Sequence, residues 1–370
     1  MKLTPQTKLL LAALAKGQRL AVYIVENQTS AQFRYRCANP SAATEASSSW
    51  QAVYYEKSEL SEVEKVLDRI DLIIIERQTA KDNLLLDFIR LAHSRGKKVL
   101  FDLDDLIFDY RDLPTLMRAT SSKNIFYWLA YFFAIRRIAR RVDGFLATND
   151  FLAKKLKRSF KKPVAVIPNS LNSDQLTVSA ELLLKKSEKS TFTLGYFSCS
   201  PTHHRDFALI LPTLLDFLSA HSDARLLIVG YMRLPRSARS LLAAKRIIQK
   251  PPIDYLKLQK HIASADLNLA PLVKSDFADC KSELKFFESA IVEVPTLASP
   301  TYAFRHAIKS GETGFLCSDA KAWRNTLELL YSDQKLRHSV AKKAKSYCLK
   351  TYYGKTFLKQ IEEAYDFFKK

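Results

Sequence analysis

The chain has 370 residues, of which 47% are apolar and 26% are charged, a composition typical of a folded protein. This length exceeds what one hydrophobic core usually covers, so we expect two domains and exclude a disordered chain. The cysteines are odd in number and form no CxxC pair, which argues against a disulfide framework or a zinc site and fits a reducing cytoplasm. They are Cys37, Cys199, Cys280, Cys317 and Cys348.

The net charge of +20 is unevenly distributed. Residues 123–162 contain 11 Lys and Arg against 2 Asp and Glu, which gives this one segment a charge of +9. Such a patch favours an anionic partner, and a bilayer surface, a nucleic acid and an acidic polymer all qualify. The chain shows no recognition helix, RNP or zinc motif, so we expect no nucleic-acid partner.

Apolar runs and helical spacings alternate along the first half of the chain. Helices are predicted at 57–69 and 81–95, and strands at 20–25, 72–76, 97–101, 144–148 and 164–168. This alternation is typical of a parallel α/β sheet. We therefore assign residues 1–175 to an N-terminal, Rossmann-like domain.

Residues 170–190 are polar and lack strong apolar periodicity, so we place the linker there. The alternation then resumes, with helices at about 205–221, 254–265 and 281–294, and strands at 191–197, 225–230, 245–249, 266–272 and 296–299. Residues 176–350 are assigned to a second Rossmann-like domain, and the helix within 351–370 is predicted to pack back on the first. Two doubly wound domains facing a cleft bind ligands at the carboxyl ends of their strands.

The segment 281–299 is the most informative stretch. As a helix it places Lys281, Lys285 and Glu288 on one narrow stripe, with Phe286 and Phe287 on the opposite, core-facing side. A cationic stripe at a helix N-terminus suits a diphosphate, and the carboxylate suits two neighbouring hydroxyl groups. The alternative is an ordinary solvated face.

Several segments together resemble the GT-B glycosyltransferases of the group 1, or family 4, type. In the second half they are 195–207 (GYFSCSPTHHRDF), 226–230 (LLIVG), 266–272 (DLNLAPL), 281–299 and 311–315 (GETGF). In the first half, 101–109 (FDLDDLIFD) and 166–169 (VIPN) are similar to the bacterial surface-polysaccharide branch of that family. The resemblance implies a GT-B fold, a nucleotide-sugar donor in the second domain, an acceptor in the first and retention of anomeric configuration.

The resemblance also implies which residues bind the donor. Glu288 matches the acidic residue that holds the ribose hydroxyls, and Lys281, Ser282 and Lys285 lie where the family contacts phosphate and sugar. The loop after the strand at 191–197 supplies the remaining candidates. These are Ser198, Thr202, His203 and Arg205.

One position departs from the family pattern. The family often has a second glutamate eight positions before the first, touching the transferred sugar, and Cys280 stands there instead. Either the Lys281, Ser282, Glu283 variant takes over that task, or sugar handling differs here. This departure motivates an alternative function, a non-catalytic nucleotide-sugar-binding subunit of a glycan-synthesis complex.

Catalysis requires that charge on the leaving diphosphate be neutralised and that the acceptor hydroxyl be oriented. Lys285 is the candidate for the first role, which needs no metal or other cofactor. Asp104 and Asp105 directly follow a predicted strand and are candidates for the second. Two alternatives for these aspartates are a bound Mg²⁺ or Mn²⁺, and helix capping with an ion pair to Arg111.

Residues 125–135 form a run of eleven uncharged, mostly bulky residues, followed by Arg136, Arg137, Arg140 and Arg141. The run is too short to span a bilayer but can lie in its interface, with the arginines on lipid phosphates. A buried helix whose arginines complement its dipole is the alternative.

We therefore expect a cytoplasmic glycosyltransferase that is bound peripherally to the inner face of the cytoplasmic membrane through residues 123–162. Its partners would be a nucleotide-sugar, a saccharide or lipid-linked acceptor and the anionic membrane surface. The reaction would serve bacterial cell-surface polysaccharide synthesis, in lipopolysaccharide or capsule.

Overall fold

The computed structural model describes residues 4–80, 82–120, 124–185, 191–198 and 203–369. They form two six-stranded sheets in which every pairing of neighbouring strands is parallel. The predicted fold class, α/β with two doubly wound sheets, is confirmed. We call the first sheet and the helices packed on it the N-terminal lobe, and the second sheet and its helices the C-terminal lobe.

The strands of the first sheet lie in the spatial order β2-β1-β3-β4-β5-β6. Their bounds are Arg19–Val25 (β1), Trp50–Glu56 (β2), Leu72–Glu76 (β3), Lys98–Leu103 (β4), Gly144–Ala147 (β5) and Val164–Val166 (β6). The edge strand β2 was not predicted, because polar residues at both of its ends interrupt the apolar pattern. Apolar clusters cover both faces of the sheet, as a parallel sheet requires.

The second sheet has the order β12-β11-β10-β7-β8-β9. Its strands are Phe192–Ser198 (β7), Ala224–Gly230 (β8), Ile247–Lys250 (β9), Leu267–Ala270 (β10), Thr296–Ala298 (β11) and Phe315–Leu316 (β12). Five of these match predicted strands to within about two residues. The two-residue strand β12 is too short to leave a periodic signal.

Helices surround both sheets. In the N-terminal lobe they are Pro5–Ala15, Ala31–Phe33, Asn39–Thr44, Leu60–Lys65, Leu84–Ser94, Leu113–Thr120, Ile125–Ala139 and Asp150–Phe160, with a π-helical turn at Arg34–Ala38. Those that follow are Ser173–Leu184, His204–Ala208, Leu211–Ala220, Arg239–Ala243, Tyr255–Ala263, Asp276–Asp279, Leu284–Ala290, Tyr302–Ala307, Ala320–Ser332, Gln334–Thr351 and Gly354–Lys369.

Two helix predictions need correction. The single helix expected at 205–221 is two helices, because Pro212 lies in the first turn of Leu211–Ala220 and favours a new helix start. The polar segment predicted as a linker contains the helix Ser173–Leu184, whose N-terminus is capped by the side chain of Asn172. Leu182 of this helix packs against an apolar cluster of the C-terminal lobe.

The helix Gly354–Lys369 lies against the first sheet, on the face formed by β1 and its neighbours. The hydroxyl groups of Tyr23 and Tyr365 are 2.9 Å apart, and Trp50 Nε1 donates to Asp366 Oδ1 over 2.8 Å. The last helix of the chain therefore crosses from the C-terminal lobe back to the N-terminal lobe.

A buried ion pair fixes the carboxyl end of β4. Arg36 and Asp102 are each 1% exposed and form a two-pronged contact, Nε to Oδ1 over 2.9 Å and Nη2 to Oδ2 over 3.0 Å. Nη1 of the same guanidinium donates to the carbonyl oxygen of Ile167 over 2.6 Å and to Asn169 Oδ1 over 3.1 Å. Asn169 in turn donates to Ser282 Oγ of the C-terminal lobe over 2.9 Å.

Replacing Arg36 with Met should lower the free energy of unfolding by about 3 kcal/mol at pH 7, because it leaves a buried carboxylate without its cation. The loss should shrink at pH 5, because Asp102, whose pKa is about 6 beside Arg36, is then largely protonated in both proteins. Urea unfolding at the two pH values measures both effects. The double variant Arg36→Met with Asp102→Asn is the control and should regain part of the loss. A loss below 1 kcal/mol at pH 7 would show that the pair does not stabilise the fold.

Candidate active site

Two aspartates follow β4 directly and share one cation. Arg77 Nη1, just after β3, lies 2.9 Å from Asp104 Oδ1 and 2.8 Å from Asp105 Oδ2. Arg111, which we considered as their partner, instead contacts Asp109. The carboxyl ends of parallel strands meet at one edge of a sheet. Arg77 directly follows β3, as Asp104 and Asp105 directly follow β4, so its place in this site could also have been predicted from the sequence.

The two aspartates differ in how readily they take up a proton. Burial raises the pKa of Asp104, and the Arg77 cation offsets this only in part. Burial also tends to raise the pKa of Asp105, but the positive charges of Lys281 and Arg77 together outweigh the effect of burial. The pKa of Asp105 therefore lies below its ordinary value. Lys281 Nζ lies 4.0 Å from Asp105 Oδ1. Asp105 is therefore the fixed anion of the pair, and Asp104 is the better proton acceptor.

Behind these aspartates lies a second acidic pair. Glu76, the last residue of β3, is 3% exposed and is the register partner of Asp102 on β4. Burial, with the nearby Asp104 charge, raises the pKa of Glu76 to about 8. Burial also raises the pKa of Asp102 to about 6, although Arg36 opposes this. Glu76 therefore keeps its proton at neutral pH, whereas Asp102 is mostly ionised there and pairs with Arg36.

The facing wall comes from the C-terminal lobe. Its helix begins at Leu284 and ends at Ala290, so the predicted bounds 281–294 are wrong at both ends. Lys281 precedes the helix, with Nζ 4.5 Å from the ring centre of Phe277. Lys285 lies in the first turn, with Nζ 4.5 Å from the ring centre of Tyr196.

Asn149 of the N-terminal lobe explains the late helix start. Its side-chain amide donates to the carbonyl oxygens of Asp279, Cys280 and Lys281 over 3.1–3.3 Å, which fixes the chain between the end of the helix Asp276–Asp279 and the start of the next helix at Leu284. Cys280 is fully buried in the apolar cluster of the N-terminal lobe. The position where the family often has a sugar-binding glutamate is therefore a packing position here.

The two walls enclose a cavity of about 210 Å³. Its polar lining consists of Asp104, Asp105, Asn169, His203, Lys281, Ser282 and Lys285. Glu283, the third member of the variant considered above, does not line this cavity and instead accepts a hydrogen bond from Tyr352. Six of the predicted site residues therefore meet in one place between the lobes.

A larger cavity of about 660 Å³ continues from the first and shares His203 and Lys281 with it. It lies between the helix Leu113–Thr120 and residues 272–278. Arg205 lines this larger cavity, and its Nη1 donates to the carbonyl oxygen of Arg118 over 2.7 Å. Arg205 is thus on the side of the cleft away from Lys285.

Three further residues were predicted to contact the donor: Ser198, Thr202 and His203. Ser198 is buried at the end of β7, and Thr202 lies outside the described residues. His203 Nδ1 is 2.9 Å from Asp206 Oδ2. Burial lowers the pKa of His203 despite the neighbouring Asp206, and Lys285 and Lys281 add to this, so the imidazole is neutral at pH 7.

Glu288 lies one turn beyond Lys285 but does not line either of these cavities. The hydroxyl of Tyr35 in the N-terminal lobe donates to Glu288 Oε1. Burial raises the pKa of Glu288, and Tyr35, Arg34 and Lys285 oppose that shift. Tyr35 was missed because nothing in a sequence marks a contact between residues 253 positions apart.

Among the described residues, no group of three or more His, Cys, Asp or Glu side chains is arranged to hold a metal ion. The cysteines at 37, 280, 317 and 348 are buried free thiols.

Comparison with solved structures identifies the fold. The fold is shared with HepE from Anabaena in complex with UDP and glucose, at 14% identity over 93% of this chain and 98% of that chain, with a TM-score of 0.59. It is shared with sucrose-phosphate synthase from Thermosynechococcus elongatus at 12% identity over 95% and 99%, with a TM-score of 0.63. WaaG, a glycosyltransferase involved in lipopolysaccharide biosynthesis, has 13% identity over 94% and 99%, with a TM-score of 0.59. These likenesses establish the GT-B fold.

A family match narrows the assignment. Residues 192–333 match the family described as Glycosyl transferases group 1, and this range contains the whole second sheet and the wall from Lys281 to Glu288. No curated protein matches the chain at a significant level. The chain is a glycosyltransferase with the GT-B fold, as the sequence predicted.

The raised pKa of Glu76 predicts a stability that depends on pH. The native state disfavours the carboxylate, so stability is highest below the ordinary pKa of 4.5 and falls as the pH rises to about 8. Glu76→Gln removes this penalty, and the variant should be more stable than the wild type by about 5 kcal/mol at pH 9, with a difference below about 1 kcal/mol at pH 5.

Urea unfolding at pH 5, 7 and 9 measures the effect of Glu76→Gln, and the exposed Glu64→Gln is the control. A difference between wild type and Glu76→Gln that stays constant over this range would contradict the assignment of a raised pKa to Glu76.

Proposed function

We propose that the chain transfers a sugar from a nucleotide-sugar donor to a lipid-linked saccharide acceptor at an anionic membrane surface, in bacterial cell-surface polysaccharide synthesis. The observation that carries this proposal is the 210 Å³ cavity, where lysines of one lobe face aspartates of the other. HepE in complex with UDP and glucose, and WaaG with its role in lipopolysaccharide biosynthesis, support the donor class and the pathway.

The donor diphosphate would lie against Lys281 and Lys285. As the glycosidic bond breaks, its electron pair moves to a terminal phosphate oxygen, and fixed cations stabilise that charge most in a site with little water. These lysines supply the charge from the protein itself, so we propose a reaction without a metal or other cofactor. A cavity of about 520 Å³ at the ends of β8 and β9 has room for the base, and Glu288 would accept from the ribose hydroxyls.

The acceptor hydroxyl would meet Asp104 on the opposite wall. A general base works best when its pKa approaches the working pH, and burial moves Asp104 in that direction. Asp105 would stay ionised and keep Lys281 in place across the cleft. Retention of anomeric configuration is part of the proposal by family likeness.

The membrane surface is proposed from the helix Ile125–Ala139. One face is buried, and the other exposes large apolar side chains, with Phe126 81% and Phe133 59% exposed. Next to this exposed face lie Arg140 and Arg141, whose side chains are also exposed. Exposed apolar side chains beside cations are what binding to an anionic bilayer interface requires. None of the described helices is both long and apolar enough to span a bilayer.

Some basic side chains of the segment 123–162 bind to other parts of the protein and are not free to contact lipid. Lys155 pairs with Asp112 over 3.0 Å and with Asp276 over 2.5 Å, and Lys162 donates to the carbonyl oxygens of Arg140 and Val142, just after the helix Ile125–Ala139. The exposed cations left for lipid contact on the helix Asp150–Phe160 and just after it are Lys154, Lys157, Arg158 and Lys161. We propose a peripheral location on the cytoplasmic face of the membrane, which also suits the buried free thiols.

The catalytic roles are tested by two substitutions after a thermal-shift screen of nucleoside diphosphates has identified the base. Asp104→Asn should lower turnover by about 100-fold or more and leave diphosphate affinity within twofold, because it removes a base and no donor contact. Lys285→Met should weaken diphosphate binding by about tenfold and also slow turnover. Release of diphosphate from the matching nucleotide-sugar measures turnover, and calorimetry measures affinity.

The control is Lys309→Met, which replaces a lysine that is 73% exposed and outside the cavity lining. Turnover of Asp104→Asn within threefold of the wild type would remove Asp104 from the proposed mechanism.

Membrane docking is tested by the double variant Phe126→Ser and Phe133→Ser. Binding to vesicles of 70% neutral and 30% anionic lipid should weaken at least about tenfold, and wild-type binding should fall with rising salt. Vesicle sedimentation measures both. Leu184→Ser, at an equally exposed position elsewhere, should bind as the wild type does. The proposed surface would be refuted if the wild type bound purely neutral vesicles as well as it binds the anionic ones. It would also be refuted if the wild type bound neither kind of vesicle.

A further inference from the structure

A side chain of the N-terminal lobe reaches the donor-side carboxylate of the C-terminal lobe. Tyr35 is 3% exposed and lies in the π-helical turn Arg34–Ala38, and its hydroxyl donates to Glu288 Oε1. Turns of this type are rare in proteins and frequently occur at functional sites.

The surroundings of Tyr35 fix its position. The amide Nε2 of Gln175 donates to the Tyr35 hydroxyl over 3.4 Å, and the Tyr35 ring packs edge-on against Phe287, with the ring centres 6.1 Å apart. The guanidinium of Arg34 lies 3.7 Å from the ring centre of Tyr255 in the C-terminal lobe. Tyr35 therefore makes a packed, hydrogen-bonded contact between the lobes.

Glu288 is held from its other side as well. Gln259 Nε2 donates to the backbone carbonyl oxygen of Glu288 over 2.9 Å, which fixes the helix at this point. A carboxylate can accept about four hydrogen bonds, so one bond from Tyr35 leaves capacity for two ligand hydroxyls.

We propose that Tyr35 is a positioning residue of the donor site, which orients the Glu288 carboxylate for the ribose hydroxyls and makes nucleoside binding depend on contact between the lobes. This inference rests on the proposed role of Glu288 as the ribose contact. The C-terminal lobe carries the carboxylate, and the N-terminal lobe sets its direction. A donor is held fully only when the acceptor-bearing lobe is in place.

The contact also affects the charge of Glu288. The charged and titratable groups facing this carboxylate are Tyr35 and Arg34 from the π-helical turn and Lys285 from its own helix. Burial raises the pKa of Glu288, and all three groups oppose that shift. Without the Tyr35 hydroxyl the pKa rises further, so Glu288 stays protonated up to a higher pH and accepts less well from a ribose hydroxyl.

The test is Tyr35→Phe, which removes the hydroxyl and keeps the ring packing. Calorimetry with UDP, ADP and GDP identifies the tightest binder for the wild type, and the 2′-deoxy form of that nucleotide is the second probe. The Kd of Tyr35→Phe for the ribonucleotide should rise about five- to tenfold, the size expected for the net contribution of one ordinary hydrogen bond. For the deoxynucleotide the change should be below twofold, because the Glu288 contact is already weakened there.

A pH series separates orientation of Glu288 from a general structural effect. In Tyr35→Phe the loss of affinity on acidification should begin at a higher pH than in the wild type. Tyr331→Phe is the matched control, since it removes a hydroxyl that donates to a carboxylate, Asp223, just before the amino end of β8, and it should leave both affinities and the pH profile unchanged.

Glu288→Gln distinguishes failure of this inference from failure of the proposed function. If Glu288→Gln weakens ribonucleotide binding and Tyr35→Phe stays within twofold of the wild type, Tyr35 does not position the carboxylate. Tighter binding by Tyr35→Phe would also overturn the inference, because it would make the tyrosine a competitor of the ribose. If Glu288→Gln binds as the wild type does, the donor-site assignment itself fails, and the role of Tyr35 fails with it.

Discussion

The buried guanidinium of Arg36 sets the geometry on which the rest of the cleft depends. It binds both oxygens of Asp102, and Asp104 and Asp105 follow only two and three residues later. The same guanidinium holds Asn169, which donates to Ser282 in the opposite lobe. A planar group with five donors in fixed directions can satisfy these partners at once, whereas a lysine cannot.

The cleft separates charge by lobe, and the separation matches the chemistry of glycosyl transfer. Acidic side chains end the strands of the N-terminal sheet, where the proposed acceptor hydroxyl would lose a proton. Lysines lie at and just before the start of the C-terminal lobe's helix Leu284–Ala290, where the leaving diphosphate of the proposed reaction would gain charge. Lys281 and Asp105 approach each other across the gap at 4.0 Å. Burial at this point of the cleft raises the pKa of Asp104.

The sequence predicted the parts of this site that depend on local pattern. Asp104 and Asp105 were found because they directly follow an apolar run, and Lys285 because it lies opposite Phe286 and Phe287 on a helix. The helix start was predicted three residues early, because the amide of Asn149 holds the preceding carbonyl groups and lies 130 positions away in sequence. The packing role of Cys280 depends on the opposite lobe and leaves no periodic signal either.

Three consecutive residues show how closely the two lobes depend on one short segment. Arg34 lies on Tyr255, Tyr35 donates to Glu288, and Arg36 binds Asp102. Successive side chains on a helix point in different directions, so one turn can reach both walls of the cleft. The wall that would bind the donor and the wall that would activate the acceptor therefore share a single anchor. A displacement of this turn would disturb both walls together, which favours a cleft that assembles as one unit.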